Sequence, residues 1–446
     1  MAGVTRCLAE FLAAAKHLPE ETVEHARRAV LDWLGSALAG SIEPPARMAQ
    51  RVAASFGEAN QATIFSARRA SAAAAAFANG VASHILEFDD VHKGSTLHAG
   101  AAVIPAALAV AEREHSSGRE FLLAVALGYE AALRVGEAVN PSHYYYWHPT
   151  GTAATFGAAA AAGALLKLDA GQMQNALGSA GTQAAGLWEF NADGAMSKHL
   201  HPGKAALNGI LAADLVREGF TGASRILEGE RGFFRAMSQS HDGTRITGGL
   251  GEHWKIAENC YKLHSCCGHT HTAIDVALEL RPFHEIAAIE IETYGPGFEI
   301  VKEMHPRTPY QAKFSLAYCV AAALAEGRVG LEQFSEERFG ADGVRDAKIA
   351  ALLDGTCVTV APDLTAKYPA AWPARISIKL TNGSTLRGAS DFPRGNPENP
   401  VSTEVLEEKF AALVTPRFGS PIAERAIRIC RSIENAPDAA ELFSAL

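Results

Sequence analysis

One short stretch of the chain, Glu87-Phe88-Asp89-Asp90-Val91-His92-Lys93-Gly94-Ser95-Thr96-Leu97-His98, holds three carboxylates, two imidazoles and an ammonium between alanine-rich segments. Gathered between apolar helices, such groups shift one another's pKa towards acid–base work. Asp89, Asp90 and His98 are therefore candidates for moving protons or holding a charged ligand. A plainer reading makes the two aspartates helix-end caps with a surface ion pair to Lys93.

Three further clusters share this character. In Ser142-His143-Tyr144-Tyr145-Tyr146-Trp147-His148-Pro149-Thr150-Gly151-Thr152, tyrosines and histidines precede an alanine-rich helix. Thr150 or Thr152 would cap that helix, and its N–H groups would attract an anion; aromatic packing at a domain junction is the plainer account. Ser197-Lys198-His199-Leu200-His201-Pro202-Gly203-Lys204 places two ammonium groups at the N-terminus of a helix expected to start at residue 203. That suits a carboxylate, and a lysine beside a cation can act as a base, although a solvated basic loop has the same composition. In Tyr261-Lys262-Leu263-His264-Ser265-Cys266-Cys267-Gly268-His269-Thr270-His271, adjacent cysteines lack the spacing that wraps zinc or an iron–sulfur cluster. Proton transfer or carboxylate binding by Lys262, His269 and His271 is more economical, and no metal or cofactor is expected. There is no dinucleotide fingerprint, P-loop or nucleophile elbow. Asp89-Asp90 lacks the third aspartate of prenyl-transfer enzymes, since the chain continues Val91-His92-Lys93.

The elements that would position these groups are mostly helical up to about residue 280. Pro19-Glu20-Glu21 opens a helix with Val23, Ala26, Val30, Trp33 and Leu34 on one face, punctuated by Gly35. Further helices are expected around 68–86, 100–115, 119–138, 151–167, 171–186 and 203–218. Near residue 285 the period changes: Ile289-Glu290-Ile291-Glu292-Thr293 alternates as a strand does, Cys357-Val358-Thr359-Val360 offers another, and Arg375 to Thr381 meets Asn382-Gly383, a hairpin signal. Helical pattern returns at 313–326 and from Ser402 onward.

With 446 residues, two domains are expected. A net charge of −9 with no basic stripe argues against a nucleic-acid partner. Seven cysteines without a disulfide framework suit a reducing, cytoplasmic setting. The first residues read as an ordinary helix rather than a signal peptide, and no apolar run is long enough for a membrane span.

The four clusters, in this order, resemble the MmgE/PrpD family: Asn79 to His84 leading into Glu87–His98, His148-Pro149-Thr150-Gly151-Thr152, Lys198 to Gly209 with Arg217 to Gly222, and Lys262 to His271. The resemblance covers nearly the whole chain. It implies a mainly α protein, with a large all-helical domain from both chain ends (1–266 and 400–446) and a smaller inserted α+β domain (267–399). It also implies a homodimer, an active site between the domains, and cofactor-independent chemistry on small polycarboxylates, as in the family's 2-methylcitrate dehydratase, cis-aconitate decarboxylase and iminodisuccinate epimerase. Such chemistry needs a base or acid at carbon and cations for carboxylates. Lys198, Tyr145, His98, His148 and His269 are the catalytic candidates; Asp89, Asp90, Lys204, Lys262 and His271 are the substrate-binding ones. Glu87 and Val91 stand where dehydratases and decarboxylases of the family commonly have aspartate and threonine, and Ala99 follows His98 in place of the usual proline. These departures point to an iminodisuccinate-type epimerase, with 2-methylcitrate dehydratase, a cis-aconitate-type decarboxylase and a silent polycarboxylate-binding protein as alternatives.

Overall fold

The computed structural model describes residues 3–281 and 284–443, and the chain divides into two compact units. The first comprises the chain up to Ile85, Asp89–Asn259 and the chain from Ser402; the second comprises Leu86–Phe88 and Cys260–Val401. Among the described residues, no helix is long and apolar enough to cross a membrane.

The first unit is helical. Its main elements are α1 (Val4–Ala14), α2 (Glu20–Ser41), α3 (Pro44–Ala54), α4 (Ala72–Ser83), α5 (Gly100–Arg113), α6 (Gly118–Val139), α7 (Ala153–Leu165), α8 (Ala170–Gly181) and α9 (Ser197–Arg217). Alanine-rich α5 and α7 are buried almost all round, which suits helices at the centre of a bundle. Small residues set how closely they pack. A Cβ on Gly80 of α4 would lie 2.8 Å from the Gly203 Cα of α9, so only two glycines allow this crossing. The expected stop of α2 at Gly35 is corrected by the structure: the helix runs on to Ser41, and Gly35 makes room for Phe410, whose ring carbon would lie 3.0 Å from an added Cβ. Phe410 belongs to α12 (Thr403–Phe418), which returns to α2 and is fastened there by a buried ion pair, Lys409 Nζ to Asp32 Oδ1 at 2.6 Å.

The second unit is mixed. Its helices include α10 (His271–Leu280) and α11 (Leu316–Glu326), and its sheet has the order β2-β1-β3-β4, with β1 at Ile286–Thr293, β2 at Thr356–Val360, β3 at Ala374–Leu380 and β4 at Thr385–Ser390. β1 runs parallel to β2 and antiparallel to β3. The Asn382-Gly383 turn joins β3 to β4, Gly383 taking φ +88°, so the local hairpin signal is realised. Ala374, Ile376, Ile378 and Leu380 face the core while their neighbours do not, the period-2 pattern of a half-buried strand. The fold is therefore mainly α with a smaller α/β part, as the sequence pattern indicates.

Candidate active site

In the first unit, the end of α4, the loop before α5, the turn before α7 and the start of α9 converge on a cluster of buried titratable side chains. His84 follows α4 directly, and the close Gly80–Gly203 crossing brings the end of α4 towards the first turns of α9, which carry Lys198 and His201. Helix α9 begins at Ser197, not at about 203 as the sequence pattern suggests. Pro202 is the sixth residue of the helix and has no N–H to give the Lys198 carbonyl, yet the first turn forms, so Lys198 lies inside it rather than before it.

Asp89 is the electrostatic centre. Its Oδ2 lies 2.7 Å from His84 Nδ1 and 3.3 Å from His98 Nδ1, with the carboxylate 1% exposed. Burial works against ionisation there, but the two imidazoles outweigh it and hold the Asp89 pKa well below the usual carboxylate value. His98 Nδ1 also lies 2.6 Å from the Asp90 carbonyl oxygen. A carbonyl only accepts, so Nδ1 carries its hydrogen and Nε2 is the nitrogen at which a proton is exchanged. The imidazole is 12% exposed whereas that of His84 is sealed, which gives His98 the access His84 lacks.

Asp90 is equally buried but has different partners. It accepts from Tyr129 Oη at 2.6 Å, Asn259 Nδ2 at 2.8 Å and the Gly100 N–H at 3.1 Å. Burial raises its pKa; the Tyr129 and Asn259 hydrogen bonds offset part of this while Asp32 and Asp89 add to it, leaving it at about 7. The surface ion-pair reading of the two aspartates is therefore wrong, since both are at most 3% exposed, although Asp90 does accept the first N–H of α5.

His148 stacks on His84, ring centroids 5.6 Å apart, and its Nδ1 lies 2.9 Å from His201 Nδ1. One of these nitrogens must accept, so the pair cannot be fully protonated across that contact. Burial, then neighbouring histidines and Lys198, hold His148 well below its ordinary pKa; burial, then Lys204, His84 and Lys198, bring His201 to about 3. Thr150 and Thr152 do not cap α7 by their side chains. Thr150 Oγ1 accepts the His98 N–H at 3.2 Å, and Thr152 meets His143 Nε2 at 2.8 Å.

The remaining candidates lie elsewhere. Tyr145 is 77% exposed and packs edge-on against Tyr146, so the structure does not bring it into the cluster. Lys204 donates to the Ala185 carbonyl at 2.7 Å, and burial lowers its pKa to about 8. In the second unit, Lys262 donates to the Glu87 carbonyl at 3.1 Å and sits 3.6 Å from the Glu87 carboxylate. His269 Nδ1 meets Tyr294 Oη at 2.5 Å, and its ring packs on Trp372. His271 sits beside Cys266 and His264, and His264 Nε2 binds Asp275 Oδ1 at 2.9 Å.

His84, His98 and His148 have ligand atoms within 4.8 Å of one another, a set that could hold a metal ion, although Lys198 adds positive charge beside it. A second such set, His92, Glu137 and Glu258, already surrounds a cation, the Lys255 ammonium at 3.0 Å from both carboxylates. His84, His201, Tyr129 and Asn259 are the site residues that the sequence reading does not single out. The two histidines lie within stretches it marks, but Tyr129 and Asn259 carry no motif, and only the fold pairs them with Asp90.

The model of the MmgE/PrpD N-terminal domain matches residues 6–245, and that of the C-terminal domain matches 264–435. A cis-aconitate decarboxylase-like protein of Aspergillus oryzae is 27% identical over 96% of this chain and 93% of its own. Human cis-aconitate decarboxylase is 28% identical over 96% and 91%, and that of Aspergillus terreus 26% over 90% and 86%. These relatives overturn the epimerase expectation, because they carry the name of a decarboxylase and none names iminodisuccinate. The departures behind that expectation have structural partners instead: Glu87, at φ +57°, faces Lys262, and Val91 is buried.

Proposed function

The chain belongs to the MmgE/PrpD family, and from that premise we propose that it is a lyase releasing carbon dioxide from a small unsaturated tricarboxylate of the cis-aconitate kind. The activity named for its nearly full-length relatives supports this. The observation that carries it is His98, anchored through Nδ1 to a carbonyl and set against the ionised Asp89.

Cis-aconitate has one carboxylate on a saturated carbon next to its double bond. Breaking the bond from that carbon to its carboxylate releases carbon dioxide and leaves an electron pair. That pair forms a new double bond to the central carbon, while the old double-bond pair moves to the far carbon, which takes a proton. A trianion and one proton thus become a dianion and carbon dioxide.

The reaction needs an acid at carbon and cations on the two carboxylates that stay. In this reading His98 gives the proton from Nε2, and Asp89 stabilises its cationic form as a carboxylate does for an imidazole elsewhere. Lys198 holds a retained carboxylate. His148, kept neutral, adds a hydrogen-bonding wall without a further charge that would hold back the departing group.

Incubation with cis-aconitate and, separately, 2-methylcitrate tests the proposal. Carbon dioxide should appear in step with loss of cis-aconitate. Loss of water from 2-methylcitrate with no carbon dioxide from cis-aconitate would replace the decarboxylase with a dehydratase, and saturable binding without chemical change would leave a binding protein.

A further inference from the structure

Helix α3 and the chain from Gly57 to Ala70, both in the first unit, flank an open surface depression of about 1060 Å³ that the proposed reaction does not use; Arg51 and Arg68 stand exposed on its rim. Four guanidinium groups line it, those of Arg47, Arg51, Arg68 and Arg69, against one carboxylate, Glu58. This concentration of positive charge belongs to a chain whose net charge is −9.

Two of the arginines build the wall. Arg69 Nη1 binds the buried Glu112 carboxylate at 3.1 Å and its Nη2 donates to the Gln61 carbonyl at 3.0 Å. Arg47 donates to the Ser66 carbonyl at 3.1 Å. Gln50, 8% exposed, ties the same loop to α2 and α3 by donating to the carbonyls of Ser41 at 2.8 Å and Phe65 at 3.1 Å. These bonds hold Ser66 at φ +60°, a conformation a non-glycine residue keeps only where its surroundings impose it. The loop is thus fixed, and it is fixed so that Arg68 shares the depression with Arg51 of α3. The guanidinium groups of Arg51 and Arg68 have no hydrogen bond or ion pair with any described residue.

We propose that this depression binds an organic oxyanion, a phosphate or polycarboxylate group clasped by Arg51 and Arg68, with the rest of the ligand lying on Ile64, Ala54 and Ala70. Planar guanidinium forks match the paired oxygens of either group, which single ammonium charges do not. The volume lies just above the roughly 300–1,000 Å³ typical of small-molecule sites and the depression is open, so there is room for a ligand body beside the charged head.

Calorimetric titration of the full chain with ADP and, separately, citrate tests this, using wild type, Arg51→Glu/Arg68→Glu and the milder Arg51→Gln/Arg68→Gln. At physiological ionic strength one or both ligands should bind saturably. Affinity should fall about ten-fold or more in the variants, the loss expected for charge-assisted bidentate contacts, with melting temperature and carbon dioxide release from cis-aconitate nearly unchanged. Loss of ADP binding alone identifies a phosphate site; loss of citrate binding alone identifies a carboxylate site. Absence of binding by both ligands, or affinities that the folded Gln variant leaves unchanged, would overturn the proposal.

Discussion

Asp89 and Asp90 are neighbours in the chain with opposite titration behaviour, because one is surrounded by imidazoles and the other by neutral donors and two further carboxylates. For Asp90 the consequence is measurable. Its folded pKa, about 7, lies above the unfolded value of 3.8, so its contribution to stability is complete below about pH 4 and is lost as pH rises to about 7. Asp90→Asn has no such titration. Urea denaturation across pH should therefore show wild type losing on the order of 4 kcal/mol relative to the variant between pH 4 and 8; a pH-independent difference would mean Asp90 is ionised throughout. At this scale the sequence shows which titratable residues crowd together and is a poor guide to their partners. Asp89, Asp90, His98, His148 and Lys198 stand out because titratable types crowd into short stretches. Tyr129 and Asn259, 39 and 169 residues from Asp90, are ordinary residues until folding places them against it.

Among the elements, α4 and α9 matter most to the site, since their crossing draws His84 towards Lys198 and His201. Gly80→Ala would place a methyl group 2.8 Å from the Gly203 Cα, where backbone has no rotamer with which to yield. The variant should lose about 1–3 kcal/mol in urea denaturation and lose activity disproportionately as the two helix ends part. Wild-type stability and activity in that variant would show that the crossing does not position the cluster. Element legibility follows how local the determinant is. The Asn382-Gly383 hairpin is readable because the turn carries its own conformational requirement. The start of α9 is not, because Pro202 imitates a first-turn residue, and the length of α2 is not, because Gly35 answers to Phe410 more than three hundred residues away.

For the whole molecule, the two units are not two consecutive stretches of sequence. The chain leaves the first unit at Leu86, returns at Asp89, leaves again at Cys260 and comes back at Ser402. Family and fold class are legible in four ordered clusters, and the family models match the stretches that carry them, 6–245 and 264–435. The reaction is not legible in single departures from a motif. A substitution such as Glu87 reports a changed contact, here with Lys262, and not which bond is broken. In the proposed reaction the first unit's cluster delivers a proton to carbon as carbon dioxide leaves, with His98 as donor. The most direct test is NMR of the reaction with cis-aconitate in deuterated water, run on wild type and His98→Gln. One deuterium should enter the new methylene group per carbon dioxide released, and turnover should be about 10²–10⁴-fold slower in a folded His98→Gln variant, the usual contribution of a general acid. Unimpaired turnover in that variant, or deuterium entering the substrate without carbon dioxide release, would contradict it.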